Sequence, residues 1–257
     1  MPMIIRIAAV QYSTAGMSRT DGLDKAMHTL DDAAHVADVV LLPNNSFFDM
    51  EQGIHLKDIA VTAEGALVRM VSQIALLRNC HVCFSTVERD GDKFFNTSML
   101  VGAEGRLLGK QRKINLTEDE WLLGITAGED ISVFDSMIGR ISMLALDDLS
   151  DERGIKNLMG KETDLLLMPS NIRHIGEGNA KTTAAACEHF LRRVAIARRT
   201  QIAFANKVDG GDAYIGSSMI IGSEGSVMAK GSIDLEENVR AETQMRHGES
   251  ADFGRAA

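Results

Sequence analysis

The sequence predicts an α/β fold, a four-layer α-β-β-α sandwich assembled from two duplicated halves of one domain spanning residues 1–257. Three observations lead there. Runs of Val, Ile and Leu of strand length alternate with stretches of helical period. The succession β-α-β-α-β-β-β occurs twice along the chain. Two halves that each carry helices on one sheet face can bury their bare faces by stacking sheet on sheet.

In the first half, residues 4–10 read as a buried strand. Leu23, Ala26, Met27, Leu30, Ala34 and Ala37 follow at helix spacing, with Thr20 or Asp21 as the expected cap. Residues 39–42 form a second buried strand, stopped by Pro43. Leu67, Met70, Val71, Ile74 and Leu77 mark a second amphipathic helix, and residues 81–87 a third strand. Strands at 97–101 and 106–111 are joined by a turn at 103–105, where Gly105 can supply a positive φ.

The second half repeats this order. A strand at 140–146 precedes a short helix at 151–159, and a strand at 164–168 is stopped by Pro169. Cys187, Phe190, Leu191, Val194 and Ala195 form a helical stripe, followed by a strand at 201–205 and a hairpin of 218–221 with 226–230. The two hairpins also match in letters: SMLVGAEG at 98–105 against SMIIGSEG at 218–225, each followed by a strand reaching lysine, Lys110 and Lys230. The Pro-stopped strands correspond as well, LLPN against LMPSN. Such a pairing predicts a site where strand ends of both halves meet, just after Pro43, near Lys113 and near Leu146. Residues 236–257 are too poor in apolar side chains to pack alone, and are expected to lie across a partner subunit.

Composition closes other doors. With 45% hydrophobic and 25% charged residues, the chain needs neither a disordered nor a fibrous reading. A net charge of -9 argues against nucleic-acid or anionic-membrane partners, which Lys and Arg would have to hold. No apolar run approaches the length of a membrane span, and the N-terminus lacks a secretory apolar core, so a cytoplasmic location is expected. Cys80 and Cys83 form one C-x-x-C with no second pair, and no metal or cofactor is expected. Cys187 reads as core, and Arg192, Arg193, Arg198 and Arg199 as a solvated helix face. The stretch at 176–183 looks like a phosphate loop but has Ala180 where glycine is needed, so nucleotide binding is rejected.

Taken in order, IRIAAVQY, DVVLLPNN, FNTSMLVGAEGRLLGKQRKINL, GRISMLALDD, DLLLMPSN and GSSMIIGSEGSVMAK resemble the carbon–nitrogen hydrolase (nitrilase) superfamily. The resemblance implies the α-β-β-α fold, a homodimer or higher homo-oligomer, and hydrolysis of nitriles, amides or carbamoyl amines by a Glu-Lys-Cys triad with a second Glu nearby. Residue by residue, it carries over unevenly. The family's Glu after Leu-Pro is Asn44 here, its Lys is retained as Lys113, and its second Glu falls on Glu120. The Ile-Cys-Tyr-Asp strand end corresponds to Leu144-Ala145-Leu146-Asp147, so the nucleophile position holds Ala145 while Asp147 stays.

In the family reaction a carboxylate takes the thiol proton, the thiolate attacks the carbon, and the lysine steadies the developing charge. Ala145 has no lone pair for that attack, and the Asn44 amide is no base at neutral pH. Ser142 sits an odd number of residues from Ala145 and should face the other way. The expectation is a scaffold inactive as written, holding a small amide, nitrile or carboxylate ligand among Asn44, Lys113, Glu120 and Asp147, or serving as an assembly subunit. Two rivals stand beside it: a true hydrolase whose triad was altered for study, and an enzyme using Lys113 and Glu120 as an acid–base pair on water. Plainer uses remain for the same residues: Asn44 and Asn45 as turn formers, Glu120 as a counter-ion or cap, Asp147 and Asp148 as caps of the helix at 151–159.

Overall fold

A computed structural model of the chain describes residues 3–47, 55–174, 179–209 and 214–245. In chain order the elements are β1 (Met3–Gln11), α1 (Arg19–Ala34), β2 (Val39–Leu41), α2 (Leu56–Ile59), α3 (Ala66–Arg78), β3 (His81–Asp90), β4 (Lys93–Val101), β5 (Leu107–Arg112), α4 (Glu118–Leu122), β6 (Val133–Ser136), β7 (Gly139–Met143), a 3-10 turn (Leu146–Leu149), α5 (Glu152–Met159), β8 (Leu165–Pro169), α6 (Ala180–Arg198), β9 (Gln201–Ala205), β10 (Met219–Ile221), β11 (Val227–Lys230) and β12 (Glu237–Met245). They form two six-stranded sheets, ordered β12-β1-β2-β3-β4-β5 and β11-β10-β9-β8-β7-β6. Helices flank the pair, giving the four layers that the repeat predicts.

The central strands β1-β2-β3 and β7-β8-β9 are parallel and covered on both faces over most of their length, which is why β2 and β8 read as unbroken apolar runs. One face of the first sheet, with Ile5, Ile7, Leu41, Cys83 and Leu100, packs on Ile141, Met143, Leu165, Leu167 and Ala203 of the second. The opposite faces carry the helices. Val40, Val82 and Phe84 pack with Leu30 of α1 and Val71 of α3, and Leu166, Ile202 and Phe204 with Leu191 of α6. The Gly-rich turns recur as expected, with Gly105 at φ 75° and Gly225 at φ 80°.

Several local expectations are corrected. Ser18, not Thr20 or Asp21, caps α1, its side chain accepting from Asp21 N. On α3 the buried stripe is Leu67, Val68, Val71 and Ala75, while Met70 and Leu77 are exposed. The strand expected at 140–146 ends at Met143 and gives way to the 3-10 turn. The stretch 176–178 of the supposed phosphate loop lies outside the described residues, as does 246–257.

The largest correction concerns the tail. Residues 237–245 do not reach across to a partner; they are β12, paired antiparallel along the whole of β1 from Gln11↔Glu237 to Met3↔Met245. Val239 and Met245 enter the inter-sheet core. Likewise β6, which follows the first half, pairs antiparallel with β7 of the second. Each half therefore donates its last strand to the other half's sheet.

If β12 is an integral strand, its inward and outward positions should differ sharply. Val239→Asp should lower stability by roughly 3 kcal/mol or more, because it buries a charge between sheets. Arg240→Ser, on the exposed side, should change it by less than about 0.5 kcal/mol. Thermal or urea unfolding of both variants checks the contrast; equal effects would restore the free arm.

Candidate functional site

Strand alternation builds the polar end of the inter-sheet layer. On β3 the inward position after Cys83 is Ser85, which lies opposite Ser98 of β4. Ser98 in turn lies opposite Gln111 of β5, so the next inward residue along that strand is Lys113. The Lys113 backbone continues the ladder for one more step, its N–H donating to Asn96 O at 2.8 Å.

The Lys113 ammonium ends between two carboxylates, 2.7 Å from Glu120 Oε2 and 2.6 Å from Asp147 Oδ2. Glu120 is set by the sequence Thr-x-x-Glu, a capping box at the start of α4. Its Oε2 also accepts from Thr117 N at 2.8 Å, and its Oε1 from Asn96 Nδ2 at 2.6 Å. The same helix turns Trp121 and Leu122 outward. Burial works against the Lys113 charge, but the two carboxylates outweigh it and raise its pKa. Burial also works against the Glu120 charge; Lys113, Asn96 and the Thr117 N–H prevail and lower its pKa. Both groups are ionised.

Asn44 lies where the halves touch. Its backbone N–H donates to Ser170 O at 3.0 Å, its Oδ1 accepts from the Ser85 hydroxyl, and its Nδ2 donates to Asn171 Oδ1 at 3.3 Å. No hydrogen bond joins Asn44 to Lys113 among the described residues. Asn45 does take the left-handed conformation of a turn residue, at φ 48°. Both polar atoms of its buried side chain lack a partner among the described residues.

Ala145 follows β7 and is buried. Its N–H donates to Asp148 Oδ2 at 3.1 Å, while Asp148 Oδ1 accepts from Ile114 N at 2.7 Å and Asn115 N at 2.9 Å. One carboxylate thus clasps the segment after Lys113 to the strand end at Ala145. The expectation that Asp147 and Asp148 cap the helix at 151–159 is corrected. Asp151 does that, accepting from Gly154 N at 2.8 Å, while Asp147 pairs with Lys113.

Neither Ser142 nor any of the three cysteines stands activated in place of the missing thiol. Ser142 points outward to Thr163 Oγ1 at 2.8 Å. Cys80 and Cys83 belong to clusters on opposite sheet faces, and burial pushes the Cys80 thiol up to about 12 and the Cys83 thiol up strongly. Burial, aided by the charge of Asp147, pushes the Cys187 thiol up to about 11. Among the described residues no group of His, Cys, Asp and Glu could hold a metal ion, and no helix is long and apolar enough to cross a membrane.

The family model for carbon-nitrogen hydrolases matches residues 6–249. The chain belongs to the carbon-nitrogen hydrolase family. Among its relatives, Nitrilase 3 of Arabidopsis thaliana is 27% identical over 157 residues, covering 53% of this chain and 45% of the relative. The chain thus matches about half the length of that nitrilase. Omega-amidase NIT2-B of Xenopus laevis is 27% identical over 217 residues, 78% of this chain and 74% of the relative. In fold, the carbon-nitrogen hydrolase from Helicobacter pylori G27 superposes with a TM-score of 0.82 at 20% identity, covering 93% of this chain and 88% of that one. An amidase from Nesterenkonia sp. AN1, with its cysteine changed to alanine and butyramide bound, gives 0.77 at 20% identity, with 93% and 90% covered.

The clasp can be tested within this hydrolase fold. Asp148→Asn replaces one acceptor oxygen by a donor, so at least one of three backbone N–H groups loses its partner, at about 1–3 kcal/mol. Burial holds the Asp148 carboxyl up at about 6, against the opposing N–H bonds and Lys113. Between about pH 4, where the unfolded carboxyl titrates, and pH 6 the folded chain keeps a proton that the unfolded chain has lost. That contribution to stability is full at the acid end and disappears as pH rises through 6. Denaturant titrations from pH 4 to 7 should show this decline in the unaltered chain and its absence in Asp148→Asn.

Proposed function

We propose that this carbon-nitrogen hydrolase-fold protein binds a small amide- or nitrile-class ligand without cleaving it. The observation that carries the reading is the state of Lys113. Its ammonium is fixed by Glu120 and Asp147, while the two positions that would supply thiol and base hold Ala145 and Asn44. A carboxamide cannot take a thiol proton, and a methyl group cannot attack a carbonyl. Loss of a nucleophile alone removes rate on the order of 10⁶-fold in a well-studied protease. Binding survives such losses in a protein of the same fold. A double variant of the Nesterenkonia amidase, with its glutamate changed to glutamine and its cysteine to alanine, is in complex with acrylamide.

The test compares the unaltered chain with Asn44→Glu plus Ala145→Cys on short amides and nitriles. Calorimetric binding of butyramide without ammonia release is expected from the unaltered chain, and measurable ammonia release from the double variant. Turnover by the unaltered chain at rates near the variant's would overturn the reading.

The same proposal includes self-association as a homodimer or larger homo-oligomer, supported by the exposed Ile155 and Met159 of α5 and Ile196 of α6. Light scattering should give at least twice the protomer mass; a monomer would remove this part.

A further inference from the structure

A second recess lies away from the Lys113 site, on the face of the first sheet that carries the helices. Met99 of β4 packs in the cluster with Leu30 and Val71, so its alternates Lys93, Phe95 and Thr97 share that face. Lys110 and Arg112 of β5 lie opposite Met99 and Thr97 and share it too. Lys93, Phe95, Lys110 and Arg112, with residues 126–130 as the far wall, line a groove of about 590 Å³.

That wall is pinned to β5. Gly128 N donates to Lys113 O at 2.8 Å. The buried Gln111 side chain donates to Asp130 O at 2.8 Å and accepts from Ser132 N at 2.8 Å. A Cβ on Gly128 would come within 2.5 Å of Arg112 O, so only glycine lets wall and strand approach this closely. The groove is preformed.

Its charges do not cancel internally. Six charged side chains line it, and four of them are paired. Arg112 meets the buried Glu88 carboxylate at 2.9 Å and Asp90 at 2.5 Å, Lys110 pairs with the same Glu88, and Asp130 pairs with Lys161 at 3.1 Å. Lys93 and Glu129 are exposed and have no ion-pair partner among the described residues. These two stand at different ends. Lys93 is four residues from Thr97, about 13 Å along β4, and Thr97 is the partner of Arg112. Glu129 follows Gly128, at its bond to Lys113, and so stands level with Arg112. Phe95 lies between, with the Arg112 guanidinium 3.6 Å from its ring centre and held there by Glu88.

We propose that this groove is a binding site for an extended zwitterion of the ω-amino acid class. The carboxylate meets Lys93, the ammonium meets Glu129, and the methylene chain lies along the Arg112 side chain. A guanidinium is weakly hydrated, so its face accepts an apolar neighbour at little cost. A simple anion would satisfy Lys93 and leave Glu129 unanswered, and a simple cation would do the reverse. An α-amino acid carries its charges too close together to engage both ends. This site is separate from the one at Lys113, Glu120 and Asp147, and stands or falls without it.

Calorimetry on the unaltered chain at pH 7 with 6-aminohexanoate, hexanoate, hexylamine and glycine tests the assignment. A partly exposed ion pair is worth only a few-fold in affinity, so 6-aminohexanoate should bind at least about 3-fold more tightly than each of the others. Lys93→Ala should bring 6-aminohexanoate down to the level of hexylamine, and Glu129→Ala down to that of hexanoate. Both positions are exposed, so the variants keep the fold. Butyramide, the probe of the Lys113 site, should not displace 6-aminohexanoate. A smaller margin in the unaltered chain, unchanged binding in either variant, displacement by butyramide, or no binding of 6-aminohexanoate at all overturns the proposal.

Discussion

One buried ammonium organises this end of the molecule. A lysine sealed between two sheets loses its hydration, and such a group stays charged only if anions meet it at hydrogen-bonding distance. Lys113 has two, and each is brought by a different device. Glu120 comes on a single turn of helix fixed by its own capping box, and Asp147 on the 3-10 turn after β7. Asp148 then ties the two arrivals together by holding Ile114, Asn115 and Ala145 through their backbone N–H groups. Remove the ammonium and there is no electrostatic reason for these loops to converge.

The exchanged strands make that convergence rigid. Because β6 belongs to the second sheet and β12 to the first, neither half can swing away without breaking a full ladder of backbone hydrogen bonds. The loop carrying Glu120 lies between β5 and β6, so it is anchored in one sheet at its start and in the other at its end. Asn44, bonded to Ser85 on one side and to Ser170 and Asn171 on the other, adds a polar stitch across the same junction.

Much of this was legible in the letters. Doubly covered parallel strands are mostly apolar, so β1, β2, β8 and β9 stand out, and Pro43 and Pro169 mark where their apolar runs stop. What escaped was structure whose signal is short or chemically mixed. The alternation Val239, Ala241, Thr243, Met245 has period two, but Ala and Thr are weak hydrophobes and the intervening charges dominate the composition. α4 spans five residues, too few for periodicity, although Thr117 and Glu120 spell its cap. Within the site, Lys113 and Glu120 could be placed from the motif order. Ser85, Asn96, Asn171 and the division of labour between Asp147 and Asp148 could not, because adjacent aspartates look alike until a backbone turn points them in different directions.

The ion cluster also bears on the proposed ligand-binding reading. A buried salt bridge rarely stabilises a fold more than well-packed apolar side chains of similar volume would, because the desolvation of each ion offsets most of the attraction. Stability alone therefore gives no reason for this scaffold to hold Lys113, Glu120 and Asp147 together. A site that had merely lost its chemistry would tolerate an apolar plug at least as well. A charged cluster with Asp147 one-third open to water is what the proposed binding of a polar ligand would call for.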